Sequence, residues 1–100
     1  MAAKSTSLRR GLRILKCLKG KTMSGLANGE IAKALDESAV NISRALDVLV
    51  EEGWVSKLET GRYALSIAAL QVAQAHADEM ARAQNRIMEI NQRVLAGAQN

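Results

Sequence analysis

The chain has 100 residues, enough for one small domain with a single core, and 48% of them are apolar, which excludes a disordered chain. Its net charge of +4 and its pI near 9.6 favour a polyanionic partner. Cys17 is the only cysteine and His76 the only histidine, so an internal disulfide is excluded and no metal or other cofactor is expected. No apolar run reaches about 18 residues and no signal-peptide core is present, so we expect a cytoplasmic protein without a membrane partner.

The positive charge is concentrated at the amino-terminal end. Residues 1–27 contain seven basic and no acidic side chains, residues 28–65 contain four basic and seven acidic ones, and residues 66–100 contain three of each. A basic end favours a polyanion such as DNA, although basic amino-terminal segments are also common solvated faces.

The first predicted helix runs from about Ser7 to Lys19. Leucines recur on one face at helical spacing, with Ile14 beside them, and basic side chains occupy another face. The leucines of this apolar face are Leu8, Leu12, Leu15 and Leu18. The next segment, GKTMSGLANG, contains three glycines and therefore predicts a loop, with a short strand at Leu26.

A second, short helical pattern is followed by a tight corner. The helix is expected from about Gly29 to Leu35, with Asn28 as its amino-terminal cap. Asp36 and Glu37 then form the corner, because polar residues separate this apolar pattern from the next one.

The third predicted helix runs from about Ala39 to Glu52. Ser38 is expected to cap it, and Gly53 is expected to end it in a left-handed conformation. Its apolar side chains recur at a spacing of 3.6 residues, which indicates one buried face. The expected buried residues are Ile42, Ala45, Leu46, Leu49 and Val50.

The segment WVSKLETGRYALS changes to period two around a glycine turn, which predicts a β-hairpin. Ser66 is then expected to cap a last helix that could reach Gly97. The large apolar side chains of the hairpin region either pack it onto the helices, which we favour, or form a stacking platform for single strands. They are Trp54, Leu58, Tyr63 and Leu65.

The predicted order is helix, loop, helix, corner, helix, hairpin and long helix. This is a mainly α fold, a winged helix-turn-helix, in which the exposed face of the third helix can enter a major groove about 12 Å wide. A plain helical corner in a three-helix core is the alternative, and the hairpin directly after the third helix favours the winged fold. We therefore divide the chain into a winged helix-turn-helix DNA-binding domain at 1–66 and a long helix at 67–100.

Three segments carry a resemblance to a known family: SLRRGLRILKCL, LANGEIAKALDESAVNISRALDVLVEEGWV and TGRYALSIAAL. In unbroken order they resemble the amino-terminal DNA-binding domain of IclR-type transcriptional regulators, and the resemblance covers residues 7–72. It implies a winged helix-turn-helix that binds double-stranded DNA. The MarR-like and other winged-helix families share this architecture.

The sequence departs from the pattern of that family in three places. Asp36 stands at the corner, where the family usually has glycine, and Ser38 and Ala39 stand where it often has proline and lysine. The family also carries a large effector-binding domain after this region, whereas this sequence stops at Asn100. We therefore expect a stand-alone module without a small-molecule effector domain, of a size common among phage and mobile-element regulators.

The outward face of the third helix supplies the candidate DNA contacts. Arg44 is the strongest candidate for reading a base, because a guanidinium can grip guanine O6 and N7 with two bonds, and Asn41 could pair with adenine in the same way. The alternative for Arg44 is a salt bridge to Asp47 or Glu37. The other candidates are Ser38, Val40 and Ser43 on the helix, Lys57, Thr60 and Arg62 on the wing, and Lys4 and Ser7 where the first helix begins.

The last helix carries an apolar repeat with steps of four and three residues, which indicates a heptad seam and predicts a homodimer through residues of about 69–97. The seam is small from Ala69 to Ala83 and bulky from Ile87 to Val94. The alternative is that its first two turns fold back on the winged helix. The expected dimer contacts are Ala73, His76, Met80, Ala83, Ile87, Ile90 and Val94.

Three functions remain open at this point. The leading one is sequence-specific binding of double-stranded DNA by a small dimeric transcriptional regulator. The second is a winged-helix module that binds a protein, with its basic helix against an acidic partner, and the third is a dimerisation-only role. An enzyme is not expected, because the sequence has no His–carboxylate pair, Cys–His pair, phosphate loop or metal set.

Overall fold

The computed structural model describes residues 6–98. Its helices are α1 (Thr6–Cys17), α2 (Asn28–Leu35), α3 (Ala39–Glu51) and α4 (Ile67–Ala98), and its strands are β1 (Val55–Lys57) and β2 (Tyr63–Leu65). Three short helices, an antiparallel hairpin and a long helix make a winged helix-turn-helix followed by a long helix, so the predicted fold class is confirmed. The chain divides into two compact units, and the boundary between them falls between Leu70 and Gln71.

The core of the first unit lies where the three short helices converge. Its largest fully buried side chains come from these helices and from the turn directly after α1, and they are Ile14, Leu18, Ile31, Ile42 and Leu46. Burying one such side chain contributes about 1.5–3 kcal/mol. A core this small therefore depends on the hydrogen-bonded connections between the elements as well as on apolar burial.

The leucine face predicted for α1 is only partly buried. Ile14 and Leu18 are buried, whereas Leu8 is 63% exposed and Leu12 is 50% exposed. At 100° per residue, Leu12 lies about 160° around the helix from Ile14. Leu8 and Leu12 therefore lie on a second, exposed apolar face of α1, away from the face that brings Ile14 into the core.

Asp36, which was predicted to lie at the corner between α2 and α3, has a left-handed backbone conformation. Asp36 has φ 55° and ψ 51°, its N–H donates to the Lys33 carbonyl at 3.3 Å, and the Glu37 N–H donates to the Ala32 carbonyl at 2.9 Å. These are the two hydrogen bonds of a Schellman motif, which usually has glycine at its left-handed position. Aspartate is one of the few other residues that adopt this conformation readily, so the corner closes without glycine.

Serines cap the last two helices, as predicted. Ser38 Oγ accepts the Asn41 N–H at 3.1 Å, and Ser66 Oγ accepts the Ala69 N–H at 3.0 Å. The Ser66 hydroxyl also donates to the Gly53 carbonyl at 2.6 Å. Ser66 is buried, and it ties the end of α3 to the start of α4.

The start of α2 is capped from within the helix. Ala27 is the residue that precedes the first turn, and its backbone N–H donates to the Glu30 carboxylate at 2.9 Å. A glutamate at the third helical position can reach back in this way, which is half of a capping box. The predicted cap at Asn28 is therefore wrong, because Asn28 is already the first helical residue.

The end of α3 brings an aromatic side chain to the surface. Gly53 has φ 82°, as predicted, its N–H donates to the Val50 carbonyl at 3.0 Å, and the Trp54 N–H donates to the Leu49 carbonyl at 2.9 Å. This second Schellman motif holds Trp54 against the last turns of α3. Trp54 is 41% exposed. Val50 is also exposed, so its predicted burial is wrong.

The wing is an antiparallel hairpin that is fastened to the loop before α2. Val55 pairs with Leu65, and Lys57 pairs with Tyr63. Leu26 and Tyr63 exchange two backbone hydrogen bonds of 2.8 Å, so the short strand predicted at Leu26 is present as a single bridge. Leu65 and Tyr63 pack partly buried against the core, as the packing interpretation of the hairpin predicted.

Gly25 is the one position where this fastening requires glycine. It has φ 65°, and a Cβ atom placed there would lie 2.7 Å from the Tyr63 carbonyl oxygen. That oxygen accepts the Leu26 N–H, so it cannot move away without breaking the bridge to the wing. Gly20 has a similar φ of 75°, but its Cβ would point into open space.

We predict that Gly25→Ala lowers the melting temperature much more than Gly20→Ala does. Both substitutions place alanine in a left-handed conformation, which costs about 1–2 kcal/mol. Only Gly25→Ala adds a steric clash with fixed backbone. Thermal unfolding followed by circular dichroism measures the difference, and equal shifts for the two variants would show that the wing does not depend on this close approach.

The second unit consists of most of α4. The helix has 32 residues, and every side chain from Gln71 to Ala98 is exposed. Hydrogen bonds between side chains four residues apart stabilise the helix on its polar side. They join Arg93 to Glu89 at 2.7 Å and Gln74 to Asp78 at 2.9 Å. Within the described residues, no helix is both long and apolar enough to cross a membrane.

Candidate nucleic-acid interface

The outward face of α3 carries the side chains predicted to read DNA. Val40, Ser43 and Arg44 are exposed and Asn41 is half-buried, while Ile42 and Leu46 on the opposite face enter the core. We call the four residues 40, 41, 43 and 44 the recognition face. Burial of the apolar stripe fixes the rotation of α3, so these side chains point away from the core together.

Ser43 is oriented by a residue of α2. The Asn28 side-chain amide donates a short hydrogen bond to Ser43 Oγ. Because this bond uses an acceptor position of the hydroxyl, the Ser43 proton stays available for a phosphate oxygen or a base acceptor. Asn28 therefore links the first helix of the motif to the recognition face, a role that the sequence did not indicate.

Arg44 is free to contact DNA in this structure. Among residues 6–98 the ion pairs join Arg10 to Glu37, Arg62 to Glu30 and Arg93 to Glu89, and none includes Arg44. The alternative salt bridge from Arg44 to Asp47 or Glu37 is therefore absent from the described residues. Glu37 instead lies 3.2 Å from the Arg10 guanidinium.

Two arginines of the basic first helix hold the corner and do not extend the interface. The Arg10–Glu37 pair is mostly buried, and the Arg13 guanidinium donates to the Leu35 carbonyl at 3.3 Å. Both contacts join α1 to the end of α2, next to Asp36. The positive charge of the amino-terminal segment is thus partly structural, and it overstates the cation density that faces a nucleic acid.

The wing carries two basic side chains, and only one of them forms hydrogen bonds and an ion pair within the protein. Lys57 is exposed, and its Nζ lies 5.9 Å from the centre of the Tyr63 ring. Arg62 donates to the carbonyls of Ser24 at 2.9 Å and Gly25 at 3.1 Å, and it pairs with Glu30 at 2.9 Å. These bonds use Nε and Nη2, so the two Nη1 protons remain available.

The other predicted contacts lie at the tips of elements. The Thr60 side chain accepts the Arg62 backbone N–H at 3.4 Å in the turn of the hairpin, and Ser38 is occupied as the cap of α3. Ser7 is exposed in the first turn of α1, where helix N–H groups favour phosphate. Lys4 lies outside the described residues.

Comparison with known proteins identifies the family. A model of the IclR helix-turn-helix domain matches residues 7–59. The chain belongs to the IclR family. No curated protein matches it. This IclR-type chain carries the DNA-binding domain of transcriptional regulators, and the sequence resemblance is confirmed.

Solved structures place the same fold in other regulators. An IclR family transcriptional regulator from Brucella abortus has 31% identity and a TM-score of 0.63 over 73% of this chain and 28% of its own. CymR, the global cysteine regulator of B. subtilis, has 29% identity and a TM-score of 0.57 over 65% of this chain and 52% of its own. A transcriptional regulator from Rhodococcus sp. RHA1 has 24% identity and a TM-score of 0.58 over 76% of this chain and 29% of its own. At this identity, the similarity supports the fold alone. The chain spans less than a third of the Brucella protein.

Glu30 joins the wing to the helix-turn-helix of this IclR-type domain. The pKa of its carboxyl is lowered from the ordinary value of 4.5, chiefly because it accepts the Ala27 N–H, and further because the Arg62 guanidinium lies beside it. A lowered pKa means that the folded state favours the charged carboxylate. This contribution to stability is present above pH 4.5 and is lost as the pH falls through the lower folded-state pKa.

The melting temperature of the native chain should fall between pH 6 and pH 3. We predict that it falls less in Glu30→Gln, because this variant has no carboxylate at position 30 that must be protonated. The matched control is Glu59→Gln, which neutralises an exposed carboxylate in the hairpin turn. Melting curves at each pH measure the effect. If Glu30→Gln and the native chain lose the same number of degrees, the Glu30 contact does not contribute to acid unfolding.

Proposed function

We propose that the chain binds double-stranded DNA sequence-specifically, as a small dimeric transcriptional regulator. The observation that carries this proposal is the recognition face, on which Arg44 has no ion-pair partner among the described residues while neighbouring cations are engaged. A free guanidinium on an exposed helix suits the O6 and N7 acceptors of guanine. Asn41 and the oriented hydroxyl of Ser43 add a second reader and a donor.

The remaining contacts of this proposal are sequence-independent. Five of the predicted residues would contact phosphates. They are Lys57 and Thr60 on the wing, Lys4 and Ser7 near the start of α1, and Ser38 at the start of α3. Arg62 would add a phosphate contact through Nη1, although its charge is already opposed by Glu30. Val40 would meet a thymine methyl group.

The proposed dimer uses α4. Its seam side chains are exposed in the single chain, including Met80, Ile87, Ile90 and Val94. Burying each large apolar side chain contributes about 1.5–3 kcal/mol, so pairing of two α4 helices would stabilise a dimer. A two-fold dimer presents two recognition faces to a symmetric site. A cytoplasmic, non-enzymatic role and the phage or mobile-element origin remain predictions that go with this proposal.

We expect Arg44→Ala to weaken binding to the selected site by roughly 1–3 kcal/mol and to relax the preference at one base position. The site is first selected from random duplexes with the native chain, and affinities are then measured by fluorescence anisotropy. Arg86→Ala, which removes an exposed cation from α4, is the control and should change neither quantity. A folded Arg44→Ala chain with native affinity and native site preference would contradict the assignment.

The two wing cations should differ in their salt dependence. Lys57→Ala should reduce the slope of log affinity against log salt by about one, because one phosphate contact releases about one counterion. Arg62→Ala should reduce it by less, since Glu30 already opposes that charge, and it should also lower the melting temperature. Equal slopes for Lys57→Ala and the native chain would show that the wing does not touch phosphate.

A further inference from the structure

Val40 is the apolar member of the recognition face, and it lies at the end of α3 where helix-turn-helix proteins contact bases. α3 begins at Ala39, because Ser38 precedes it as the cap and accepts the Asn41 N–H. Val40 is therefore the second helical residue, and the amino-terminal residues of a recognition helix are those that reach base edges. Val40 is 59% exposed. Single exposed apolar side chains are common on proteins, so the position of Val40, more than its exposure, indicates a role.

Val40 and Arg44 point away from the core as a pair. At 100° per residue, each of them lies about 160° around α3 from the fully buried Ile42, and they lie about 40° from each other. A separation of four residues is about 6 Å along the helix axis, so the two side chains are neighbours on one face. Base pairs are stacked about 3.4 Å apart. When Arg44 binds a guanine, Val40 therefore lies about one or two base pairs away from it.

The side chain of Val40 offers only methyl groups to the base edges. The major groove presents one apolar group, the C5-methyl of thymine, and the other groups that distinguish its base pairs are hydrogen-bond donors or acceptors. A valine placed against one of those polar groups displaces water and forms no hydrogen bond in its place, which weakens binding. Val40 therefore selects a methyl group.

This methyl group is not unique to thymine, because a cytosine methylated at C5 carries the same group at the same place in the groove. The two bases differ at C4, where thymine has an acceptor oxygen and cytosine has a donor amino group. Val40 forms no hydrogen bond with its side chain, so it does not distinguish them. Ser43, three residues further along this face, suits both bases. After its hydroxyl accepts the Asn28 amide, one proton and one lone pair remain.

We propose that the recognition face reads the C5-methyl group of a pyrimidine about one or two base pairs from the guanine bound by Arg44, and that 5-methylcytosine can replace thymine at this position. Methylation of a cytosine there then strengthens binding, so the chain distinguishes methylated from unmethylated DNA. This inference rests on the proposed function and deepens it, because it names the chemical group of the DNA that Val40 recognises.

The first test changes only the methyl group on the DNA. A duplex site is selected from random sequences with the native chain, and each thymine in it is replaced in turn by deoxyuridine, which lacks the C5-methyl. One replacement, near the guanine whose preference Arg44→Ala relaxes, should weaken binding about fourfold in fluorescence anisotropy, because burial of one methyl group contributes about that factor. With a cytosine–guanine pair at the same position, C5-methylation of the cytosine should strengthen binding about fourfold.

The second test assigns both methyl effects to Val40. Val40→Ser replaces the methyl groups of the side chain by a hydroxyl and should abolish both effects. Val48→Ser is the matched control and should keep them, because Val48 is 56% exposed on the same helix but lies about two turns further from its amino-terminal end. Circular dichroism checks that both variants fold. The readout is a ratio of two affinities for one variant, so a general loss of affinity does not change it.

The outcomes separate this proposal from the proposed function. If deoxyuridine replaces every thymine without loss of affinity, or if Val40→Ser keeps both methyl effects, the proposal is overturned and the DNA-binding function stands. A site in which the thymine methyl contributes but 5-methylcytosine binds no better than cytosine also overturns it. A native chain that selects no duplex sequence rejects the proposed function, and this inference with it.

Discussion

The corner at Asp36 is the constraint on which the rest of the domain depends. Its left-handed backbone and two hydrogen bonds set the angle between α2 and α3, and only at that angle can Ile42 and Leu46 enter the core shared with α1. Arg10 and Arg13 of α1 contact residues of the same corner. The side of α3 that faces solvent follows from this packing, so the recognition face is a consequence of how the corner closes.

The cations of the domain divide into structural and available ones. Arg13 and Arg62 donate to carbonyls of the protein, and Arg10 and Arg62 form ion pairs with carboxylates. Arg44 and Lys57, by contrast, have no ion pair among residues 6–98. A net charge of +4 counts them equally, although a guanidinium engaged by a carboxylate adds little to the field around the domain. The cations available to DNA are therefore fewer than the composition indicates.

Apolar burial in the single chain is incomplete. Five large side chains are fully buried in the core, while Leu8 and Leu12 of α1 and the large side chains of the α4 seam remain exposed. A domain of this size buries a modest fraction of its surface, so the proposed pairing of two α4 helices would stabilise the fold as well as position two recognition faces.

The sequence by itself determined the element order, the serine caps of α3 and α4, the glycine that ends α3 and the hairpin, because these depend on periodicity and on contacts within a few residues. It also determined the family. The tertiary structure decided which face of α1 is buried and how Asn28 and Arg62 are used. Asn28 bonds to Ser43, 15 residues away, and Arg62 bonds to Ser24, 38 residues away, and no local pattern encodes such pairings.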